Sequence, residues 1–267
     1  MSRISACFKS LQRQNKQALI PYITAGDPNP SITVGLMHKM VIAGADIIEL
    51  GIPFSDPMAD GPAIQLACER ALKHDTSLTM VLDMVAEFRL RDNSTPVVLM
   101  GYFNTVESMG YKAFIDRAAI VGLDGILMVD LPPEECTDFT VQLRQVGLDI
   151  IFLLAPTTDP ERMQQICSVG SGYLYYVSVK GVTGSMALDV AAVTKKLAQV
   201  RQYTNLPLAV GFGVRNTESV AKIAQIADGV VVGSVLVNLL DEYQTQPQQG
   251  CDRIATTLAQ MRVAMDR

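Results

Sequence analysis

Glu49 stands in the stretch D-I-I-E-L-G-I-P-F-S-D-P-M-A-D-G-P, directly after Ile47 and Ile48. A carboxyl group at the end of an apolar strand is costly to ionise, so its pKa is expected to rise. That suits a general acid–base. Asp60 lies eleven residues further on, with Asp56 nearer. Taken alone, Asp56-Pro57 and Asp60-Gly61-Pro62 read as ordinary turn sequences. Their company gives them weight, because three prolines, two glycines and two acids crowd one loop behind the glutamate. Two carboxyls in different surroundings can divide acid and base work.

A second signal is rich in glycine and falls late in the chain. Gly181-Val182-Thr183-Gly184, Gly211-Phe212-Gly213 and Gly233-Ser234 each follow an apolar run. Glycines let backbone N–H groups come close to an anion, and such clusters at successive strand ends suit a phosphate. Ser234 is expected to offer its hydroxyl and to cap a short amphipathic helix over Val235–Leu240.

Other chemistries find little support. His38 and His74 are the only histidines, both in helical stretches and without a partner at ligand spacing, so no zinc site is expected. No G-x-S-x-G elbow, no early G-x-G-x-x-G and no Walker loop occurs. Lys180 follows a strand but belongs to a loop. Cys7, Cys68, Cys136, Cys167 and Cys251 are far apart and form no C-x-x-C pair, which fits a reducing cytosol rather than a disulfide framework. The thirteen methionines read as core gap-fillers.

These residues need a scaffold that gathers strand ends. Eight apolar runs are candidate strands: Leu19–Thr24, Asp46–Leu50, Val97–Tyr102, Gly125–Asp130, Asp149–Leu154, Tyr173–Val179, Leu208–Phe212 and Gly229–Gly233. Most are continuous rather than alternating, as in parallel strands covered on both faces. Helical periodicity fills the gaps. Ser77 caps a helix bearing Leu78, Val81, Leu82, Val85 and Phe88; Asp159-Pro160-Glu161 starts another; Asn216 caps a third. The alternation spells a single α/β domain over residues 1–267, a (β/α)8 TIM barrel with an extra N-terminal helix (Ile4–Arg13) plugging its bottom and a short helix after strand 8. The polar Gln244–Gly250 stretch reads as a turn. In such a barrel the active site lies at the C-terminal ends of the strands.

Composition agrees. Hydrophobic residues make up 49% and charged residues 18% of 267, which excludes a disordered chain. The net charge of −5 argues against binding nucleic acid by phosphate neutralisation. Mean hydropathy is +0.23, yet no apolar run approaches the roughly 18 residues of a membrane span. The first residues lack the apolar core of a secretory signal.

Taken together, these residues resemble those of the tryptophan synthase alpha subunit family along nearly the whole chain. The matching stretches are Pro21–Pro28, Glu49–Pro62, Val129–Glu135, Gly181–Gly184, Val210–Val214 and Val231–Ser234. The resemblance implies a metal- and cofactor-free lyase that splits indole-3-glycerol phosphate into indole and glyceraldehyde 3-phosphate. It implies Glu49 as principal acid–base and Asp60 as second carboxylate. It implies Tyr22, Met100, Leu127, Val129, Leu153 and Tyr175 around the indole, with Tyr175 the tyrosine near Glu49. Thr183 would belong to a loop closing over Asp60. Backbone around Gly184, Phe212, Gly213, Gly233 and Ser234 would hold the phosphate. It also implies a cytoplasmic α2β2 heterotetramer with a beta subunit carrying pyridoxal phosphate, docked near Asp56, Asn104 and Pro132. Thr105 and Met58 stand where the family more usually has proline and leucine.

Other readings remain open at this point. A free-standing indole-releasing lyase would show no activation by a beta subunit. A silent, activating barrel would be expected to lose an acid, whereas Glu49 and Asp60 are both present. Another phosphosugar aldolase would need a Schiff-base lysine or a metal.

Overall fold

The computed structural model describes residues 2–178, 189–211 and 213–267. Its elements follow in the order α1 (Arg3–Arg13), β1 (Ala18–Thr24), α2 (Pro30–Ile42), β2 (Ile48–Gly51), α3 (Pro62–Leu72), α4 (Leu78–Arg89), β3 (Val97–Gly101), α5 (Phe103–Met109), α6 (Tyr111–Ile120), β4 (Gly125–Met128), α7 (Thr137–Gln145), β5 (Asp149–Ile150), β6 (Phe152–Leu154), α8 (Pro160–Val169), β7 (Leu174–Val177), α9 (Val190–Val200), β8 (Leu208–Gly211), α10 (Thr217–Ala224), β9 (Gly229–Val232), α11 (Ser234–Glu242) and α12 (Pro247–Met265).

The strands pair in parallel in the order β5-β4-β3-β2-β1-β9-β8-β7-β6. The fifth predicted strand is divided at Ile151, its first half pairing with β4 and its second with β7. The Ile151 N–H donates to the Ile126 carbonyl at 2.8 Å, so the segment runs on through the division. That continuity joins the two ends of the sheet into the TIM barrel expected from the sequence. Tyr102, Val129, Asp130 and Gly233 fall just beyond the strand ends, although their apolar runs include them.

Side chains along each strand alternate between two clusters. Ile48, Leu50, Val97, Leu99, Ile126, Phe152, Leu208 and Val230 pack outward with the helices. Ile20, Ile47, Val98, Leu127, Ile151, Tyr173, Ala209 and Val231 fill the interior. Burial on both faces is why the strands read as unbroken apolar runs. The expected N-terminal plug is α1, whose Ile4, Phe8 and Leu11 join the interior cluster.

Local chemistry sets the helix starts. Ser77 accepts from the Met80 N–H, Asp159 from the Arg162 N–H, and Asn216 forms a capping box with Ser219. At the strand starts, aspartates extend the ladder: Asp46 accepts from the Leu19 N–H at 2.8 Å, Asp124 from Val97 at 2.8 Å and Asp228 from Leu208 at 2.7 Å. Each thereby satisfies an amide at the barrel floor that lacks a ladder partner there.

Three expectations are corrected. Gly233, not Ser234, is the cap residue of α11, because Ser234 already lies within the helix and no side chain makes the cap bond. Gln244–Gly250 is a turn only as far as Gln246, because Pro247 is favourably placed in the first turn of α12. His74 lies past the end of α3 and contacts the Pro28 carbonyl at 3.0 Å. Among the described residues no helix is long and apolar enough to cross a membrane.

Candidate active site

Glu49 is fully buried on β2, register partner of Tyr22 on β1. Its neighbours Ile48 and Leu50 face outward, so alternation turns Glu49 into the barrel. Its Oε1 accepts a 2.5 Å hydrogen bond from the Tyr173 hydroxyl, while Oε2 is buried with no partner among the described residues. Burial pushes the Glu49 pKa from 4.5 up to about 7, and the Tyr173 hydrogen bond restrains the rise. The expected upward shift is therefore present, with desolvation as its cause.

Asp60 is half-buried in the loop between β2 and α3. Its Oδ2 accepts from the Tyr102 hydroxyl at 2.9 Å, and the Tyr102 oxygen in turn accepts the Ala59 N–H at 2.9 Å. Phe54 stacks on Tyr102 with ring centroids 5.0 Å apart. Gln65, on α3, donates to the Asp60 carbonyl at 2.9 Å. Burial raises the Asp60 pKa, and the Tyr102 hydrogen bond opposes it.

Both carboxyls belong to one mouth. Burial chiefly raises the pKa of Tyr22 and of Tyr175, and both phenols also feel the charges of Glu49 and Asp60. A Cβ at Gly51 would lie 2.2 Å from the Tyr22 hydroxyl, and one at Gly211 would lie 2.2 Å from the Tyr175 hydroxyl. Only glycine leaves room for those two rings. Met100, Val129 and Leu153 are half-buried against the interior cluster that includes Leu127 and Tyr175. Tyr22 packs with Ala67, Val237 and Met100.

The glycine-rich ends of β8 and β9 open on the same mouth. A Cβ at Gly233 would sit 3.6 Å from the Tyr22 Cβ, so the β9–α11 junction abuts the residue paired with Glu49. Gly213, just beyond β8, has φ +77°, a conformation that favours glycine. Ser234 is exposed at the first position of α11, where backbone N–H groups lack helical partners. Thr183, Gly184, Phe212 and Lys180 lie outside the described residues.

Asp56 and Asn104 are exposed and Pro132 is half-buried. They follow β2, β3 and β4 in turn, so they share one side of the rim. Met58, two residues after Asp56, is 88% exposed. Sequence reasoning missed Tyr173 and Tyr102. Tyr173 stands two residues before Tyr175, so period-two alternation alone points it inward as well. Tyr102 was legible as the residue where the third apolar run ends.

A cavity of about 720 Å³ opens at the opposite end, lined by Phe8, Lys9, Arg144, Asp149 and Arg201 among others, and it contains none of the predicted site residues. Among the described residues no group of three or more His, Cys, Asp or Glu could hold a metal.

A TIM barrel with two carboxyls converging at the C-terminal mouth has the layout of a barrel enzyme. Comparison with known proteins narrows this. The family model "Tryptophan synthase alpha chain" matches residues 8–266. The tryptophan synthase alpha chain of Thioalkalivibrio sulfidiphilus is 59% identical over 266 residues, covering 100% of both chains. That of Nitrosococcus oceani is 56% identical, covering 100% of this chain and 98% of the other. The crystal structure of tryptophan synthase subunit alpha from Legionella pneumophila superposes with a TM-score of 0.92 at 45% identity, covering 100% and 99% of the two chains. The chain belongs to the tryptophan synthase alpha chain family, lyases of tryptophan biosynthesis.

Proposed function

We propose that this chain cleaves indole-3-glycerol phosphate to indole and glyceraldehyde 3-phosphate, with Glu49 and Asp60 as its catalytic carboxyls. The observation that carries the reading is Glu49 itself: buried, with pKa near 7, one oxygen held by Tyr173 and the other without a partner among the described residues. A carboxyl poised near neutrality both gives and takes protons efficiently.

The chemistry follows from the substrate. Protonation of indole C3 makes the ring an iminium-like electron sink. Loss of the adjacent glycerol hydroxyl proton then forms the aldehyde. The bond from C3 to the glycerol carbon breaks, and its electron pair restores the neutral indole. Glu49 supplies the first proton and takes up the second. Asp60 accepts the indole N–H hydrogen bond and stabilises the positive charge as it grows. Tyr22, Met100, Leu127, Val129, Leu153 and Tyr175 wall the ring, with Thr183 in a closing loop. Backbone around Gly184, Phe212, Gly213, Gly233 and Ser234 holds the phosphate, supported by the orphan N–H groups at the start of α11.

The partner in this reading is a beta subunit in an α2β2 assembly, with pyridoxal phosphate belonging to that subunit and none required here. Exposed Met58, two residues from Asp56 in the loop after β2, supports a docking surface on the side of the rim that carries Asp56, Asn104 and Pro132. The chain works as one barrel domain in the cytoplasm. The test is an indole-release assay on indole-3-glycerol phosphate with and without a beta subunit. Slow release by the chain alone and strong activation by the partner are expected; no release in either case overturns the reading.

A further inference from the structure

We infer that Arg70 is a positioning residue that keeps the Asp60 end of the site in register with the phosphate end at α11. The inference deepens the proposed function and rests on it.

Arg70 lies on α3 and is buried, yet it joins three separate elements. Its Nε and Nη2 donate to the two oxygens of Asp27, in the loop after β1, at 2.6 and 2.9 Å. Its Nη1 donates to Asp241 on α11 at 2.5 Å. A planar guanidinium held at three donors fixes angle as well as distance, which a lysine cannot do.

What those elements carry makes the tie functional. α3 starts directly after Asp60-Gly61, and its Gln65 grips the Asp60 carbonyl at 2.9 Å. α11 starts at the Gly233-Ser234 junction that abuts Tyr22. Between the two helices lie the small Ala67 of α3 and Val237 of α11, packed on Tyr22. Seven residues of α11 separate Ser234 from Asp241, about 10 Å of rigid helix. Arg70 therefore locks the two helices together away from the ligand, while their starts hold opposite ends of it. A substrate that spans both ends responds to their separation; its separate halves do not.

The experiment measures the halves against the whole. Asp241→Ala cuts the tie to α11 and spares the Arg70–Asp27 pair; the Asp241 side chain is 45% exposed, so the variant is expected to fold. Indole, inorganic phosphate and the uncleavable indole-3-propanol phosphate are each titrated into the full chain. The expected result is unchanged binding of indole and of phosphate, about tenfold weaker binding of the joined analogue, an unchanged urea midpoint and a lower kcat. Arg70→Lys should keep more of the joined affinity than Arg70→Ala. Equal weakening of all three ligands with a lowered urea midpoint would mark a merely structural role and overturn the inference, as would unchanged binding of the joined analogue. Failure of the unaltered chain to bind that analogue overturns the functional reading, and this inference with it.

Discussion

Tyr173 donates a 2.5 Å hydrogen bond to Oε1 of Glu49 across 124 residues of sequence, with both groups buried. Beneath Tyr173 lies Phe8 of the N-terminal plug, their ring centroids 5.8 Å apart. The helix that closes the barrel floor thus braces the phenol that holds the carboxyl. With Oε1 engaged as an acceptor, Oε2 is the oxygen left to carry and exchange a proton. A buried polar atom without a partner is unusual in a folded protein and costs stability, so an Oε2 with none among the described residues fits the proposed role of Glu49.

Tyr173→Phe tests this relationship through pH. The phenol donates to Glu49 and favours its ionised form, so removing it raises the Glu49 pKa beyond about 7. If protonated Glu49 starts the reaction, activity falls as pH rises through that pKa. The basic limb of kcat for indole release should therefore move to higher pH in the variant, by about half a unit or more. An unmoved limb would detach Tyr173 from the proton chemistry.

Glu49→Gln should abolish cleavage while leaving binding of an uncleavable substrate analogue, and it should make the protein more stable at alkaline pH. The folded chain keeps a proton on Glu49 that the unfolded chain releases near 4.5. The group costs nothing below that pH, costs progressively more as pH rises, and exacts its full penalty above about 7. At about 1.4 kcal/mol per pH unit, that penalty is about 3 kcal/mol. Glutamine stays neutral and avoids it. Urea midpoints at pH 5 and pH 8 check the sign: the advantage of the variant should grow between them. A constant difference would mean that Glu49 is not the group titrating.

The barrel was legible because the strands are mostly buried on both sides and several helices show one apolar face. Ser77, Asp159 and Asn216 cap the helices as their residue types imply. Ser234 misled because serine favours the cap position, whereas here glycine before it takes the non-helical backbone. Glu49 could be singled out because it closes an apolar run, and Asp60 because it shares the proline- and glycine-rich loop behind that run. For Tyr173 and Tyr102 the position was legible but the role was not, because a tyrosine in an apolar run resembles core until its hydroxyl is given a partner. Arg70 was hidden for another reason, since its two aspartates are 43 and 171 residues away. The start of α11, proposed to meet the phosphate through its backbone, carries no side-chain signature beyond Gly233 and Ser234.

Asp60→Asn should lower kcat by at least about a hundredfold, the order of one lost electrostatic contact to a developing charge. Tyr102→Phe should cost less, because it removes only the donor to Oδ2 and the acceptor of the Ala59 N–H. If Tyr102 acts through Asp60, adding Tyr102→Phe to Asp60→Asn should change kcat little further. Steady-state kinetics of the two single variants and the double variant decide it, and independent, multiplying losses would count against the coupling.

Gly213→Ala separates the phosphate end from the indole end. A Cβ at Gly213 would meet no atom of the described residues within 4 Å, so the substitution brings no clash with them. Its φ of +77° is the difficulty, because an L-residue resists that conformation by about 1 kcal/mol. The turn after β8 should relax away from it, withdrawing the backbone groups proposed to meet the phosphate. KM for indole-3-glycerol phosphate should then rise several-fold while kcat changes little, and free indole should bind as before. A fall in kcat at constant KM would instead place Gly213 with the reacting atoms, and unchanged kinetics would remove this turn from the phosphate site altogether.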